Sequence, residues 1–215
     1  MRIGIGAATV KIASLELRKG GAVTLTSTDK VGTSSNAALG RPVGTCPAGL
    51  ARAIRAEVGR GLDWQRTADA VVGALRANLP DPQHLLPAEL RRGDPAGYSS
   101  HLLYVEPGGC FSVSAMVWLP GQLTPIHDHV AWCVTAVLQG REYEEIFVLA
   151  DDGRALEIAM RNTNQTGTVS GFAPPGDIHR VRNTGDDVAI SMHVYGADIS
   201  RLGNSIRREY ALPIH

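Results

Sequence analysis

Residues 121–140 read GQLTPIHDHVAWCVTAVLQG. A Pro120-Gly121 turn leads in, His127 and His129 follow two positions apart, and an apolar run continues to Leu138. On a β-strand, residues i and i+2 point to the same face. Both imidazoles are therefore aimed at one point, and Asp128 between them is aimed away. Further along, PPGDIHRVRN (residues 174–183) sets His179 behind a second Pro-Gly turn on another strand-like segment. Three imidazoles brought together by two strands make a metal site. Imidazole suits Fe(II), Zn(II), Cu(II) and Ni(II) alike, so the ligands alone do not choose the ion.

Outward from these motifs the pattern is β from residue 98 onward. Short runs at 101–106, 111–119, 132–138, 143–149, 155–160, 167–172, 178–183 and 188–195 are separated by turn residues such as Glu106-Pro-Gly-Gly109 and Asp151-Asp-Gly153. Strands at this spacing with no helices between them read as an all-β antiparallel sandwich or barrel. The acidic run Glu142-Tyr-Glu-Glu145 reads as a solvated strand face. Residues 47–97 carry a different period. Leu50, Ile54 and Val58, then Trp64, Ala68, Val71, Val72 and Leu75, predict two amphipathic helices broken at residues 59–61. Asp63 is placed to cap the second, and a third short helix is expected over 87–92. Residues 1–46, rich in Gly, Ser, Thr and Ala, form an extension to which no fold is assigned.

At 215 residues the chain suits one functional domain. Its 44% apolar and 20% charged residues are ordinary for a globular protein. Lys+Arg and Asp+Glu balance at 21 each, which leaves no electrostatic footprint for nucleic acid or an anionic membrane. No apolar run approaches the roughly 20 residues of a spanning helix. The N-terminus lacks the apolar core of a signal peptide. Cys46, Cys110 and Cys133 are an odd set, which argues against a disulfide framework. A cytoplasmic protein, monomer or homodimer, is expected.

The spacing Gly121-x5-His127-x-His129-x3-Cys133-x6-Gly140, with Pro174-x-Gly176-x2-His179-x3-Asn183, resembles the paired motifs of the cupin superfamily. That resemblance implies a cupin jelly-roll β-barrel over residues 98–215, with the helical segment packed outside it. Most metal-binding cupins carry a glutamate ligand where this chain has Cys133. The departure points to a narrower resemblance, over roughly residues 71–206, to the cysteine dioxygenase-like thiol dioxygenases. His127, His129 and His179 match that family's iron ligands, and Ser191, His193 and Tyr195 match its hydrogen-bonded triad. These three alternate residues share one strand face, so Ser191 can orient His193, and His193 the Tyr195 hydroxyl. Cys133 aligns with the cysteine that some members join to the triad tyrosine through a thioether.

Substrate recognition departs from the family pattern. Cysteine-oxidising members hold the substrate carboxylate with an arginine two residues after a tyrosine. Here Tyr98 is followed by Ser100 at that position. Relatives acting on 3-mercaptopropionate-like acids use an arginine after the triad, where this chain has Asn204, with Arg201, Arg207 and Arg208 nearby. Serine does not replace a bidentate guanidinium. Either a neighbouring arginine moves in, or the substrate is not held by its carboxylate. Trp118 and Trp132 flank the first motif, and Trp132 is expected to face the pocket. His84, His101 and His215 are assigned to surface or packing.

The resemblance implies an Fe(II)-dependent dioxygenase that takes a small thiol and O2 to a sulfinic acid. Two alternatives stand beside it. One is a biosynthetic cysteine-oxidising cupin with a diverted product, through decarboxylation or S–N bond formation. The other is a non-catalytic metal- or ligand-sensing cupin.

Overall fold

The computed structural model describes residues 41–215, so most of the N-terminal extension lies outside the described residues. Two helices come first. In α1 (Ala48–Val58) Leu50, Ala51 and Ile54 are buried, and Gly59 closes the helix by donating its N–H to the Arg55 carbonyl. In α2 (Trp64–Ala77) the Asp63 carboxylate accepts from the Arg66 N–H as its N-cap, and Thr67, Ala68, Val71 and Leu75 form the buried stripe. The third helix expected over 87–92 is a single 3-10 turn at Leu90–Arg92, preceded by another at Pro82–His84. Gly93, in a left-handed conformation at φ 76°, and Pro95 after it end the segment at one turn.

Ten strands follow, arranged as two antiparallel five-stranded sheets. The first joins β1 (Ser99–Val105), β2 (Ser112–Trp118), β4 (Cys133–Gln139), β7 (Val169–Phe172) and β9 (Ala189–Tyr195) in the order β1-β2-β9-β4-β7. The second joins β3 (His127–His129), β5 (Arg141–Leu149), β6 (Leu156–Gln165), β8 (His179–Asn183) and β10 (Ile206–Glu209) in the order β10-β3-β8-β5-β6. A four-residue helix α3 (Ile199–Leu202) bridges β9 and β10. This is the jelly roll of the cupins.

Alternation along the first sheet divides its side chains between two environments. Val113, Ala115, Val117, Val134, Ala136, Ile190, Met192 and Val194 point outward, into one core with Leu50, Ile54, Ala68, Val71 and Leu75 of the helices. Helix α2 lies close against β7: a Cβ at Gly171 would come within 2.8 Å of Val72 Cγ2. The residues between them point into the barrel, which is why every residue of β9 is buried. Contacts such as Phe172 with His179, and Trp118 with Val181, join this inner face to the second sheet.

On the second sheet the reading of residues 142–145 is overturned. Glu142 and Glu144 are 3% and 6% exposed and face the interior, whereas Tyr143 and Glu145 are half-buried. An acidic run on a strand alternates faces like any other, and here the inward pair meets buried partners.

Candidate metal centre

His127 and His129 of β3 and His179 of β8 are all buried, and one nitrogen from each lies within 4.8 Å of the others. His127 and His179 sit directly opposite each other in the β3–β8 pairing. Each ring is held from behind. His127 Nδ1 donates to the Pro125 carbonyl at 2.9 Å. His129 Nδ1 bonds Asp177 Oδ2 at 3.1 Å, and the same oxygen accepts the His129 backbone N–H at 2.8 Å. His179 Nδ1 bonds Glu144 Oε1 at 2.8 Å. With all three Nδ1 atoms so engaged, the three Nε2 atoms are left to converge on an ion. Outer partners of this kind fix the tautomer and orientation of metal-binding imidazoles.

The electrostatics agree. Burial, and then the neighbouring histidines, hold His127 and His129 well below the usual imidazole range, so both are neutral and have a lone pair to offer. Burial opposes the ionised form of Glu144. The hydrogen bond from His179 and those from the Asn162 and Asn164 amides outweigh it, and the carboxyl sits below its ordinary value. No carboxylate or thiol joins the three imidazoles as a further ligand among the described residues. Burial, with Asp177 and Glu144 nearby, pushes the Cys133 thiol well above its usual range, so it stays protonated.

The triad residues lie beside this centre. Ser191 Oγ is 3.0 Å from His193 Nε2, and Tyr195 Oη is 3.2 Å from His193 Nδ1. The Tyr195 and His129 rings are 6.5 Å apart. Cys133 is the direct cross-strand partner of Tyr195 and packs with it, Leu102, Phe172 and Ile199. Phe172 lies against both His129 and His179, at 4.9 and 5.0 Å, and forms the apolar wall of the site. Tyr98 stacks on Trp118 at 4.5 Å, and Ser100 is buried on the interior side of β1.

Trp132 is placed differently from its expected position. It alternates with the inward Cys133, joins the outer core and covers Gly196, where a Cβ would lie 2.1 Å from its Nε1. It does not face the pocket.

The arginines near the triad do not approach the centre either. Arg207 is bonded to Asp128, whose Oδ2 also accepts from Tyr210 Oη at 2.9 Å. Asp128 lies on the opposite side of β3 from the imidazoles. Arg208 pairs across from Asp128 in the strand register and stacks over Tyr210. Arg201 is exposed on α3, two residues from Ile199, which faces the Cys133–Tyr195 cluster. Residues two apart on a helix lie on opposite sides, so Arg201 faces away. Asn204 accepts from the Ile206 N–H at 2.9 Å and is exposed.

Asp177, Glu144 and Phe172 were missed as site residues. Asp177 stands two positions before His179, and Glu144 alternates with Glu142; both signals are present in the sequence but look like turn and surface polarity.

A jelly roll that gathers three buried imidazoles inside one end defines a metal-binding cupin. Residues 75–204 match the family model of cysteine dioxygenase type I, more than half of the 215 residues, and the chain belongs to that family. Among solved structures, an oxalate oxidase in complex with glycolate is 22% identical, with a TM-score of 0.40 over 49% of this chain and 53% of that chain. The chain thus spans about half the length of that protein. A Cupin 2 conserved barrel domain protein from Salinispora arenicola CNS-205 is 22% identical, with a TM-score of 0.37 over 48% of this chain and 78% of that one. The Cupin_2 domain of an XRE family transcriptional regulator from Enterobacter cloacae is 19% identical, with a TM-score of 0.35 over 46% and 94%. No helix among the described residues is long and apolar enough to cross a membrane.

Proposed function

We propose that this chain is an Fe(II)-dependent thiol dioxygenase that converts a small thiol and O2 into a sulfinic acid. The reaction balances as RSH plus O2 giving RSO2H, with both oxygen atoms ending on sulfur. The observation that carries the reading is three buried imidazoles, with no acidic ligand among them, beside the hydroxyl of Tyr195. Ferrous iron held by His127, His129 and His179 would supply affinity for a thiolate and the means to activate O2. Neutral ligands leave the ion its full charge, which favours an anionic thiolate.

The chain's own groups do the rest. Glu144, Asp177 and the Pro125 carbonyl hold the imidazoles in place. Phe172, Leu102 and Ile199 pack around Cys133 and Tyr195 and make that side of the site apolar. Burial, and then the neighbouring Cys133, push the Tyr195 phenol well above its usual range, so it remains a hydrogen-bond donor at neutral pH. Cys133 and Tyr195 are direct partners across β4 and β9, a placement compatible with a thioether formed by loss of two hydrogens with O2 as the two-electron acceptor; intact-mass measurement would report the missing pair of hydrogens.

The deciding experiment is oxygen uptake by Fe(II)-loaded protein with cysteine, cysteamine and 3-mercaptopropionate, with product analysis. Consumption of one O2 per thiol with a sulfinate product is expected. Tyr195→Phe should lower the rate by roughly 10²–10⁴ while thiol binding persists. Uptake that survives this change undiminished would remove the role given to Tyr195, whereas no thiol-dependent uptake by the parent protein would favour a sensing cupin.

A further inference from the structure

Glu142 is a buried acid that the scheme above does not use. It lies on β5 facing inward, 3% exposed, with its carboxyl against the Ser191 hydroxyl and the Trp118 indole. Its Oε1 has no hydrogen-bond partner among the described residues. Ser191 in turn bonds His193 Nε2 at 3.0 Å and accepts from Trp118 Nε1 at 3.2 Å. One chain of contacts therefore runs Glu142–Ser191–His193–Tyr195, from the buried carboxyl to the ring beside His129 of the metal centre.

The valences of this chain permit two complete arrangements. Ser191 Oγ has one proton and two lone pairs. With Glu142 ionised, Ser191 donates to the carboxylate and accepts from both Trp118 and a proton on His193 Nε2. His193 Nδ1 is then bare and accepts the Tyr195 proton, which points away from the metal. With Glu142 protonated, the acid donates to Ser191, and Ser191 donates to His193 Nε2. The imidazole proton then sits on Nδ1 and donates to the phenol oxygen, and the Tyr195 proton is free to point at the metal centre. Both arrangements satisfy Ser191 and both nitrogens of His193, and they differ in whether the Tyr195 hydroxyl is tied to His193 or released toward the metal centre.

We propose that Glu142 is a positioning residue whose single proton sets the direction of the Ser191–His193–Tyr195 chain, and with it whether Tyr195 donates into the reaction site. The proton lost on switching goes to solvent; no other group changes charge. Burial raises the Glu142 carboxyl to about 7, with the Ser191 bond opposing and Glu144 adding, which puts the exchange near neutrality. His193 remains neutral throughout, because burial lowers it to about 3. The other titratable groups acting on this chain are Glu144 on the same strand as Glu142, Tyr195 on β9, and Tyr98 ahead of β1, which stacks on the Trp118 indole; Asn164 of β6 and Asn183 of β8 stand opposite Glu142 uncharged. Among the described residues no arginine is buried there to hold the carboxylate.

The direct test is nitrogen NMR of His193 in Zn(II)-loaded, histidine-labelled protein, assigned with His193→Gln. On raising pH through about 7, the His193 proton is expected to move from Nδ1 to Nε2. In Glu142→Gln and Glu142→Leu the exchange is expected to vanish. One unchanged His193 tautomer on both sides of neutrality in the parent protein, or an exchange that persists without Glu142, overturns the proposal. The consequence for turnover rests on the thiol-oxygenation reading: kcat should fall about tenfold or more on the alkaline side, with KM for the thiol unmoved, and this limb should be lost in both variants. A tautomer exchange without thiol-dependent oxygen uptake would support the switch and sink the oxygenase reading.

Discussion

Glu144 accepts from three side chains: His179 Nδ1 at 2.8 Å and the amides of Asn162 and Asn164 at 3.4 and 3.3 Å. So many donors keep it ionised despite its burial, and an ionised Glu144 keeps the His179 proton on Nδ1. Glu144→Ala is therefore expected to lower metal affinity by roughly 10–100-fold, measured by competition with a chelator, with the fold intact. An unchanged affinity would mean that the His179 ring is fixed by packing alone. Arg201 makes the opposite case. Exposed and turned from the Cys133–Tyr195 cluster, it is expected to contribute nothing to substrate binding. Arg201→Ala should leave kcat/KM for cysteine within about twofold, whereas an arginine paired to the substrate carboxylate would cost one to two decades on removal. A loss of that size for cysteine but not for cysteamine would restore Arg201 as the anchor.

At the scale of elements, the helices serve the sheet and not the centre. Val71 and Leu75 of α2 are fully buried against the outer face of the first sheet, while the imidazoles belong to the second. Leu75→Ala should lower stability by about 2–5 kcal/mol in denaturant unfolding and leave metal affinity unchanged. A parallel loss of metal binding would show that the two layers are coupled. The same layering explains what the sequence made legible. The helices could be read because their buried residues recur every three or four positions, and His127, His129 and His179 because two of them alternate on a strand and each motif follows a Pro-Gly turn. Strand β10 was not legible: Ile206–Glu209 has no alternation, and it is held by pairing with the three residues of β3. Trp132 and the pair Glu142 and Glu144 were misplaced for a related reason. Residue type gave their polarity, but only the strand register decides which face looks inward, and a one-residue slip reverses it.

Across the whole molecule, two buried groups on one interior chain pull stability in opposite directions as pH changes. His193 titrates near 3 in the folded state against an ordinary 6.5, so the unfolded chain binds the extra proton and stability is lost as pH falls through that window. Glu142 titrates near 7 against an ordinary 4.5, so the folded state holds the extra proton. Its penalty is absent below about 4.5, grows as pH rises, and is complete above about 7. That span corresponds to about 3 kcal/mol as an order of magnitude. The joint contribution of these two groups is therefore greatest on the weakly acidic side of neutrality. The contribution of Glu142 can be isolated, because the metal ligands and His193 are common to the parent and Glu142→Gln. Their titrations cancel in the difference between the two proteins, measured by denaturant unfolding at matched pH. The variant is expected to gain on the parent steadily as pH rises, and to stop gaining once Glu142 is fully ionised. A difference independent of pH would mean that Glu142 keeps one charge state throughout, and the hydrogen-bond chain behind Tyr195 would then have a single direction.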